Sequence, residues 1–352
     1  MPGFLKLPTH SAIINWDELV QANSNLPTVA HNPHFFPFFS GFLSLSPYYF
    51  ILKENDVAVG LFPIVKTGNQ FISMPHFSYG GIFWLLKRRF EEENIIQQII
   101  SGIEQEKLEA GFYTLDISGC KNEKFPTGKI EIRGETPFFG NIFSEKTRHF
   151  ISLKKTKEAQ LESFSSNLRR KINKAERNGI EIKNGKDELL DDFVNVYQKN
   201  MHKLGSPAFG KSFFRALLEI PGANASIYIA CYFNKPVGAA FCLSYFGFTE
   251  NVWFSTISKY NNLYPAYLLH WKMIEGAIIQ KKKIYSFGRS TTSSGVHEFK
   301  KQWQAEEKPL YFSNSKPEIF NLKNQKWLTK IWKLLPPFVV NNVGPIVAKR
   351  IY

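Results

Sequence analysis

The two halves of the chain repeat one order of predicted elements, and this repeat constrains the fold more than any single motif. In each half, two apolar strands joined by a polar turn precede a third strand, a helix and a fourth strand. In the first half these elements are strand 48–53, turn 54–56, strands 57–65 and 70–75, helix 89–110 and strand 112–117.

The second half gives the same order with different residues. Its elements are strand 227–233, turn 234–236, strands 237–245 and 251–257, helix 265–280 and strand 284–287. Gly60 and Gly238 occupy matching places in the two hairpins. A shared order at similar spacing indicates a duplicated α/β unit. We therefore predict an α/β fold with two tandem domains, 1–150 and 151–325, and a basic amphipathic C-terminal tail, 326–352.

The length and charge of the chain limit the number of domains and the kinds of partner that we expect. A chain of 352 residues favours two domains, and 33 phenylalanines within 43% hydrophobic residues indicate packed cores. The 44 Lys and Arg against 30 Asp and Glu give a formal charge of +14. Such a charge favours polyanionic partners, which include nucleic acid, nucleotide-linked substrates and an anionic membrane surface.

Several classes of protein are disfavoured. The N-terminal segment lacks the pattern of a secretory signal, and no run of about 18 apolar residues predicts a membrane-spanning helix. Cys120, Cys231 and Cys242 form no CxxC pair, which favours a reduced, cytoplasmic protein. The phosphate-loop, dinucleotide, serine-hydrolase and zinc-protease motifs are absent, and the eight histidines include no close pair at metal-ligand spacing. We expect no metal site and no tightly bound cofactor.

A basic helix is predicted over residues 156–179, between the two repeats. Its apolar residues recur at steps of three and four, whereas Arg169, Arg170 and Lys174 lie on its polar surface. This surface is either a solvated helix face or a ridge that binds phosphate groups.

A second helix, 187–204, ends at Gly205-Ser206-Pro207 and brings Asn200 and His202 close to a turn. His202 is a candidate general acid or base, although a single histidine is also compatible with a structural or exposed role. The helix predicted to begin at Pro265 follows a strand, so its free N–H groups can bind a phosphate or an oxyanion. Tyr264 beside it is either a proton donor to a leaving group or a packed aromatic residue.

Residues 286–303 combine a Gly-Arg-Ser turn with a later Phe-Lys-x-Gln-Trp segment. Arg289 offers a planar fork of donors and Lys300 a point charge, and Ser290 adds a hydroxyl. Such a loop suits an anionic or carboxylate-bearing group, and the alternative is a solvated basic loop. The tail also has two interpretations: a helix docked on the protein or a helix on a membrane surface.

At several of these segments the chain resembles the FemAB family, in particular the branch associated with exosortase and exopolysaccharide loci. The resemblance covers most of residues 30–315 and rests on the following segments: N200-M-x-x-L-G-S-P-x-F209, Y264-P-x-x-L-L-x-W271, F287-G-R-S290 with S294-G295, F299-K-x-Q-W303, and the basic helix N167-L-R-R-K-I-x-K-A175. One departure is Gln304, where the family pattern has glycine after Trp303.

The resemblance implies two tandem domains of the GCN5-related N-acetyltransferase (GNAT) fold, each a mixed central sheet flanked by helices. It also implies acyl transfer to an amine, with an aminoacyl-tRNA or an acyl-CoA-type donor, in cell-envelope or exopolysaccharide biosynthesis. Asn200 and Trp303 belong to the shared motifs and join Arg289, Ser290 and Lys300 as predicted substrate-binding residues.

We therefore predict an acyltransferase in which Tyr264 and His202 are the catalytic candidates. Arg169, Arg170 and Lys174 are predicted to bind the phosphates of the donor. An amine acceptor, tRNA and the inner face of the membrane are the other expected partners. The alternative is a non-catalytic module that binds RNA or an anionic membrane through the basic helix and tail.

Overall fold

The computed structural model describes residues 4–86, 92–118, 129–134, 141–316 and 326–351. The chain divides into two compact units, the first formed by Met1–Thr147 with Lys308–Glu318 and the second by Arg148–Glu307 with Ile319–Tyr352. Residues 308–318 thus return to the first unit and the tail belongs to the second.

The first unit contains a mixed sheet and two long helices. Its elements are β1 (Leu5–Leu7), α1 (Thr9–Gln21), β2 (Ser46–Glu54), β3 (Val57–Thr67), β4 (Gln70–Ile72), β5 (Phe83–Trp84), α2 (Glu92–Gln105), β6 (Gly111–Asp116) and β7 (Lys129–Gly134), with most of a late strand, Glu306–Asn314. The strand order is β1-β6-β2-β3-β4-β7, followed by the late strand. The isoleucines of α2, among them Ile96 and Ile99, are buried against the aromatic and aliphatic side chains of β2 and β3.

The second unit contains another mixed sheet with helices on both faces. Its elements are β8 (Asn141–Ser152, of which residues 148–152 belong here), α3 (Lys157–Ser163), α4 (Ser166–Arg177), β9 (Ile180–Gly185), α5 (Leu190–Leu204), α6 (Lys211–Leu218), β10 (Ser226–Tyr232), β11 (Lys235–Tyr245), β12 (Phe248–Thr256), α7 (Pro265–Ile279), β13 (Ile284–Ser290), α8 (Gly295–Lys301), the first two residues of β14 (Glu306–Asn314, the late strand above), α9 (Lys326–Leu334) and α10 (Pro337–Ala348). The strand order is β8-β13-β12-β11-β10-β9.

The alternation of side chains along β11 explains the two layers of helices. Ala240 and Cys242 belong to the core that α4 and α7 cover. Phe241 points to the other face, where its ring contacts Phe193 of α5 and Phe214 of α6. Successive residues of a strand face opposite sides of a sheet, so each face receives its own helices.

The predicted hairpins are confirmed, and α7 begins at Pro265 as predicted. The helix predicted over 89–110 is observed as Glu92–Gln105, and its predicted first residues lie outside the described part of the chain. The single basic helix predicted over 156–179 is wrong, because the chain is extended at Phe164. Thr156 caps α3, and Ser165 starts α4 by accepting a hydrogen bond from the Leu168 N–H.

The stretch interpreted as one loop, 286–303, is also more regular than predicted. β13 continues to Ser290, and Ser294 caps α8 by accepting a bond from the His297 N–H. Gly288 has φ +69° inside the strand, a left-handed conformation that glycine adopts without a steric cost. Ser294 is a typical N-cap residue, so the sequence contained a local signal for the start of α8.

The tail packs against the end of α5. A Cβ added at Gly205 would lie 2.5 Å from the Thr329 carbonyl oxygen, so α9 lies directly against this helix end. Within the described ranges, every helix is too short or too polar to cross a lipid bilayer.

Candidate active site

β12 and β13 separate partway along their length. Their parallel pairing runs from Phe248–Ile284 to Glu250–Ser286, yet the strands continue to Thr256 and Ser290. Strands that pair at one end and then diverge leave a wedge between their carboxyl ends. This is the edge at which open α/β sheets bind ligands.

Helix α7 begins beside this wedge, after a 3-10 turn at Ser258–Leu263. Tyr264 has φ +65°, and no side chain caps the helix. Pro265 at the first position lacks an N–H group and the Tyr267 N–H donates to the Tyr264 carbonyl oxygen at 3.1 Å, so the Ala266 N–H is the group that points out of the helix end. The end of the helix dipole adds a partial positive charge, so the start of α7 can bind an anion.

Two lysines of α4 lie over Tyr264 and Tyr267, at the start of α7. The Lys174 Nζ is 5.1 Å from the centre of the Tyr264 ring, and the Lys171 Nζ is 5.0 Å from that of Tyr267. Lys171 also donates to the Tyr267 Oη at 3.3 Å and to the Gln302 Oε1 at 2.6 Å. These contacts place two cations at the start of α7.

Lys174 and Tyr264 were predicted site residues; Lys171 and Gln302 lie in the segments described from the sequence but were not selected as site residues, and Tyr267 was not singled out. A usable signal was present, because the two lysines and the two tyrosines share the same three-residue spacing on neighbouring helices. Of the other predicted phosphate-binding residues, Arg170 is exposed and donates to the Asn167 Oδ1 at 3.0 Å. Arg169 is half-buried.

Lys300 holds the end of β13. Its ammonium donates to the carbonyl oxygens of Gly288 at 2.9 Å and Arg289 at 2.8 Å, and the residue is only 4% exposed. Burial lowers the pKa of Lys300 to about 7; the charge of Glu250 opposes this shift and that of Arg289 adds to it. In this arrangement Lys300 shapes the backbone around Arg289, and the half-buried Arg289 side chain is the cation nearer to solvent.

Ser290 lies at the end of β13 and is buried. Its Oγ lies 3.4 Å from the Nδ1 of His149, and the Nε2 of His149 lies 3.5 Å from Glu307 Oε2. The other Glu307 oxygen lies 3.0 Å from the Nε2 of His297. Burial and the nearby Lys300 charge lower the pKa of His149 to about 4, so its imidazole is neutral near pH 7.

Asn200 and His202 lie at the same end of the sheet as Tyr264 but on the face that carries α5. The Asn200 Nδ2 donates to the Ser255 Oγ at 3.2 Å, close to the end of β12. The Nε2 of His202 is buried without a hydrogen-bond partner. The two catalytic candidates therefore lie on opposite sides of β12.

Trp303 is fully buried and forms part of an aromatic cluster. Its ring packs against Phe164 and Phe287, with centroid distances of 5.4 and 5.5 Å. Trp303 and Phe164 also line a cavity of about 260 Å³. Gln304, where the family pattern has glycine, adopts φ +53°. Gln304 thus adopts a left-handed conformation, at a steric cost of about 1 kcal/mol that glycine would not have.

Comparison with known proteins assigns this region to a described domain. Residues 162–301 match the family model of the acetyltransferase (GNAT) domain. The GNAT match spans the basic helix α4, the wedge between β12 and β13, and α7. It supports an acyltransferase. No curated protein sequence matches the chain.

Solved structures extend the likeness of the fold to about nine-tenths of the chain. The structure of FemX superposes with a TM-score of 0.58 at 10% identity, over 93% of this chain and all of FemX. The C-terminal domain of a putative lysylphosphatidylglycerol synthetase from Agrobacterium fabrum gives 0.52 at 9% identity, over 88% of this chain and 93% of that one. A tandem GNAT protein from the clavulanic acid biosynthesis pathway gives 0.51 at 8% identity, over 90% of this chain and all of that one. The predicted tandem GNAT fold is confirmed.

Proposed function

We propose that the protein transfers an acyl or aminoacyl group from a phosphate-bearing activated donor to an amine. The observation that carries this proposal is the uncapped start of α7 beside the wedge between β12 and β13, with Lys171 and Lys174 over it. Both an acyl-CoA and an aminoacyl-tRNA present phosphate next to an activated carbonyl, which suits this combination of positive charge and open strand edge.

In the proposed mechanism the phosphates of the donor bind at the start of α7, and the acyl carbonyl enters the wedge. Backbone N–H groups of β12 beyond Glu250, where the strands diverge, polarise that carbonyl. The amine attacks its carbon, a C–N bond forms and the C–S or C–O bond to the donor breaks. The Tyr264 hydroxyl donates a proton to the leaving group, the amine proton passes to solvent, and solvent returns a proton to Tyr264.

The other predicted site residues take supporting roles in this proposal. Arg289 binds an acidic part of the donor or acceptor, and Lys300, Ser290 and Trp303 hold the strand and helix around it. Arg169 and Arg170 extend the phosphate-binding surface along α4. His202 is the alternative acid or base, reached from the face where Asn200 fixes the end of β12.

The acceptor class is proposed from the resemblances. FemX and the lysylphosphatidylglycerol synthetase are structural neighbours, and the motifs described above resemble the FemAB branch of exopolysaccharide loci. We therefore favour an amine of a cell-envelope or exopolysaccharide precursor, acylated in the cytoplasm or at the inner face of the membrane.

The donor site is tested by measuring the binding of coenzyme A and of bulk aminoacyl-tRNA to the full chain. Replacing Lys171 and Lys174 together by alanine removes two charge-assisted contacts and should weaken binding of the true donor class at least about tenfold. Lys183→Ala with Lys186→Ala is the matched control. Both lysines are exposed, lie in the second unit and are three residues apart, as Lys171 and Lys174 are. The proposed donor site would be contradicted if both double variants lost donor affinity equally, or if the parent protein bound neither coenzyme A nor aminoacyl-tRNA.

The catalytic proposal is separated from the RNA- or membrane-binding alternative by Arg289→Met. A transferase should lose turnover with this change, whereas a binding module should retain its affinity for RNA and vesicles. The readout is acyl transfer from the donor that binds, with a mixture of amines as acceptors. Transfer that is unchanged in Arg289→Met would remove Arg289 from the proposed site.

A specific observation also favours contact with a membrane. The tail exposes six large apolar side chains: Trp327, Ile331 and Leu334 on α9, and Phe338, Val343 and Ile346 on α10. The three on α9 lie at steps of four and three, beside the exposed Lys330 and Lys333. Apolar side chains flanked by lysines suit an anionic lipid surface.

Sedimentation with phosphatidylcholine vesicles, with and without phosphatidylglycerol, tests the membrane contact. Leu334→Ser with Phe338→Ser should reduce sedimentation with the anionic vesicles. Val57→Ser is the control, because this exposed apolar residue belongs to the first unit. Equal sedimentation of the tail variant and the parent protein would exclude the tail as the contact.

A further inference from the structure

Three side chains that are far apart in the sequence meet inside the second unit. His149 lies on β8, His297 on α8, and Glu307 near the start of β14. The Glu307 carboxylate lies between the two imidazoles, with one oxygen 3.0 Å from the His297 Nε2 and the other 3.5 Å from the His149 Nε2. The three ligand atoms all lie within 4.8 Å of one another.

These separations are close to those of a tetrahedral metal site. Zinc binds imidazole nitrogen at about 2.0–2.1 Å and carboxylate oxygen at similar distances, which places neighbouring ligand atoms about 3.3 Å apart. The two His–Glu separations, 3.0 Å to Oε1 and 3.5 Å to Oε2 of Glu307, lie on either side of that value. Small movements of side chains would therefore bring both histidines and the carboxylate around one ion.

The Nε2 of His149 supports a ligand role. The His149 side chain has no exposed surface, and its Nε2 makes no hydrogen bond of normal geometry, because the Glu307 Oε2 lies 3.5 Å away. Buried polar atoms in folded proteins are almost always paired, so such an atom calls for an explanation. A metal ion between His149, His297 and Glu307 would supply the missing partner.

Both imidazoles also have the outer contacts that orient metal-binding histidines. The Nδ1 of His149 lies 3.4 Å from the Ser290 Oγ, and the Nδ1 of His297 lies 3.2 Å from Glu298 Oε1. A carboxylate or hydroxyl at the second ring nitrogen fixes the tautomer that leaves the first nitrogen free for the metal. The Ser293 N–H also points to the Nδ1 of His297, at 3.3 Å. Metal binding at Nε2 would therefore move the His297 ring proton to Nδ1, facing Glu298, and would break the bond from the Ser293 N–H.

We propose that His149, His297 and Glu307 form a binding site for Zn²⁺ or a similar divalent transition ion, with solvent as the fourth ligand. Glu307 is 35% exposed at its side chain, which provides the path for the ion and the solvent ligand. The ion would tie β8, α8 and the start of β14 together directly behind Ser290. The site is independent of the acyltransferase proposal.

The test uses the full chain without a histidine tag, freed of metal by a chelator. Zn²⁺ affinity and stoichiometry are measured by competition with a colorimetric chelator, and Co²⁺ absorption reports the coordination geometry. We expect one equivalent bound and a melting temperature that rises with Zn²⁺ concentration. His297→Gln and Glu307→Gln should each abolish binding of the first equivalent, and Glu298→Gln should weaken it about tenfold through the outer contact.

Two matched controls define the outcome. His202→Gln and Glu306→Gln change the same residue types outside the cluster and should bind Zn²⁺ as the parent protein does. If His297→Gln does not fold by circular dichroism, Glu307→Gln and Glu298→Gln decide the question. The proposal is overturned by the absence of saturable binding, or by one-equivalent binding that survives Glu307→Gln and Glu298→Gln.

Discussion

The two units share an order of elements along the chain but use the strand after the helix differently. In the first unit β6 follows α2 and joins the far side of the hairpin, where it pairs with β2 in parallel from Tyr48–Gly111 to Lys53–Asp116. In the second unit β13 follows α7 and joins β12 directly, then diverges from it. The same linear repeat therefore gives a closed strand pair in one unit and an open wedge in the other.

The two units also differ in how deeply they bury an arginine near the end of a strand, Arg133 in β7 and Arg289 in β13. In the first unit Arg133 is fully buried and bonds Glu131 Oε1 at 2.9 Å and the carbonyl oxygens of Met74 and Phe77. These bonds tie β7 to the chain that leaves β4, next to the parallel pair of these two strands. In the second unit Arg289 is half-buried at the end of β13. We infer that the first unit is a scaffold and that the second carries the site.

The largest expected effect tests this difference directly. Arg133→Met removes one partner of a buried ion pair and leaves Glu131 uncompensated, which should cost about 3–5 kcal/mol of unfolding free energy. Arg289→Met should cost less than about 1 kcal/mol, because a half-buried arginine keeps much of its hydration. Urea denaturation of both variants gives the comparison. Similar losses in the two variants would show that Arg289 is as structural as Arg133.

The second prediction concerns the pH dependence that Lys300 gives to the second unit. Its folded pKa of about 7 lies below the ordinary value of 10.5, so between these pH values the unfolded chain binds more protons than the folded protein. Stability from this group therefore rises with pH above 7 and is lowest below it. From pH 6 to 9 the gain should be of the order of 2 kcal/mol.

Lys300→Met should remove this pH dependence, and Lys301→Met is the matched control because that neighbouring side chain is exposed. Urea midpoints of the three proteins at pH 6, 7.5 and 9 provide the measurement. If the parent and Lys300→Met show the same slope with pH, Lys300 is not held in the buried position described above.

The sequence predicted those parts of the fold and site that depend on local patterns. Strand alternation and turn residues located both hairpins, and Pro265 located the start of α7, because each signal lies within a few residues of the element it sets. The burial of Lys300 was not predictable in the same way. From the sequence, its positive charge indicated a contact with substrate. In the folded chain its ammonium is surrounded by carbonyl groups at the end of β13, and no sequence pattern shows this contact.

The meeting of His149, His297 and Glu307 has the same origin. Each residue lies in a different element, and no sequence spacing relates them, so the sequence predicted no metal site. The sequence also did not predict that β6 pairs with β2 whereas β13 pairs with β12. The order of elements along the chain does not determine which strands pair, because pairing depends on the packing of the whole sheet.

The smallest expected effect concerns the two hairpin glycines that first suggested the repeat. A Cβ at Gly60 would lie 3.0 and 3.1 Å from two ring carbons of Trp84 and 3.2 Å from Ile82, whereas at Gly238 the closest atom, at 2.8 Å, is the terminal Cδ1 of Leu269. A methyl group at the end of a flexible side chain can rotate away, but an indole ring moves as a whole. Gly60→Ala should therefore cost about 1–2 kcal/mol and Gly238→Ala less than about 1 kcal/mol. Thermal unfolding of the two variants tests this order, and a larger loss for Gly238→Ala would mean that Leu269 is held as rigidly against β11 as Trp84 is against β3.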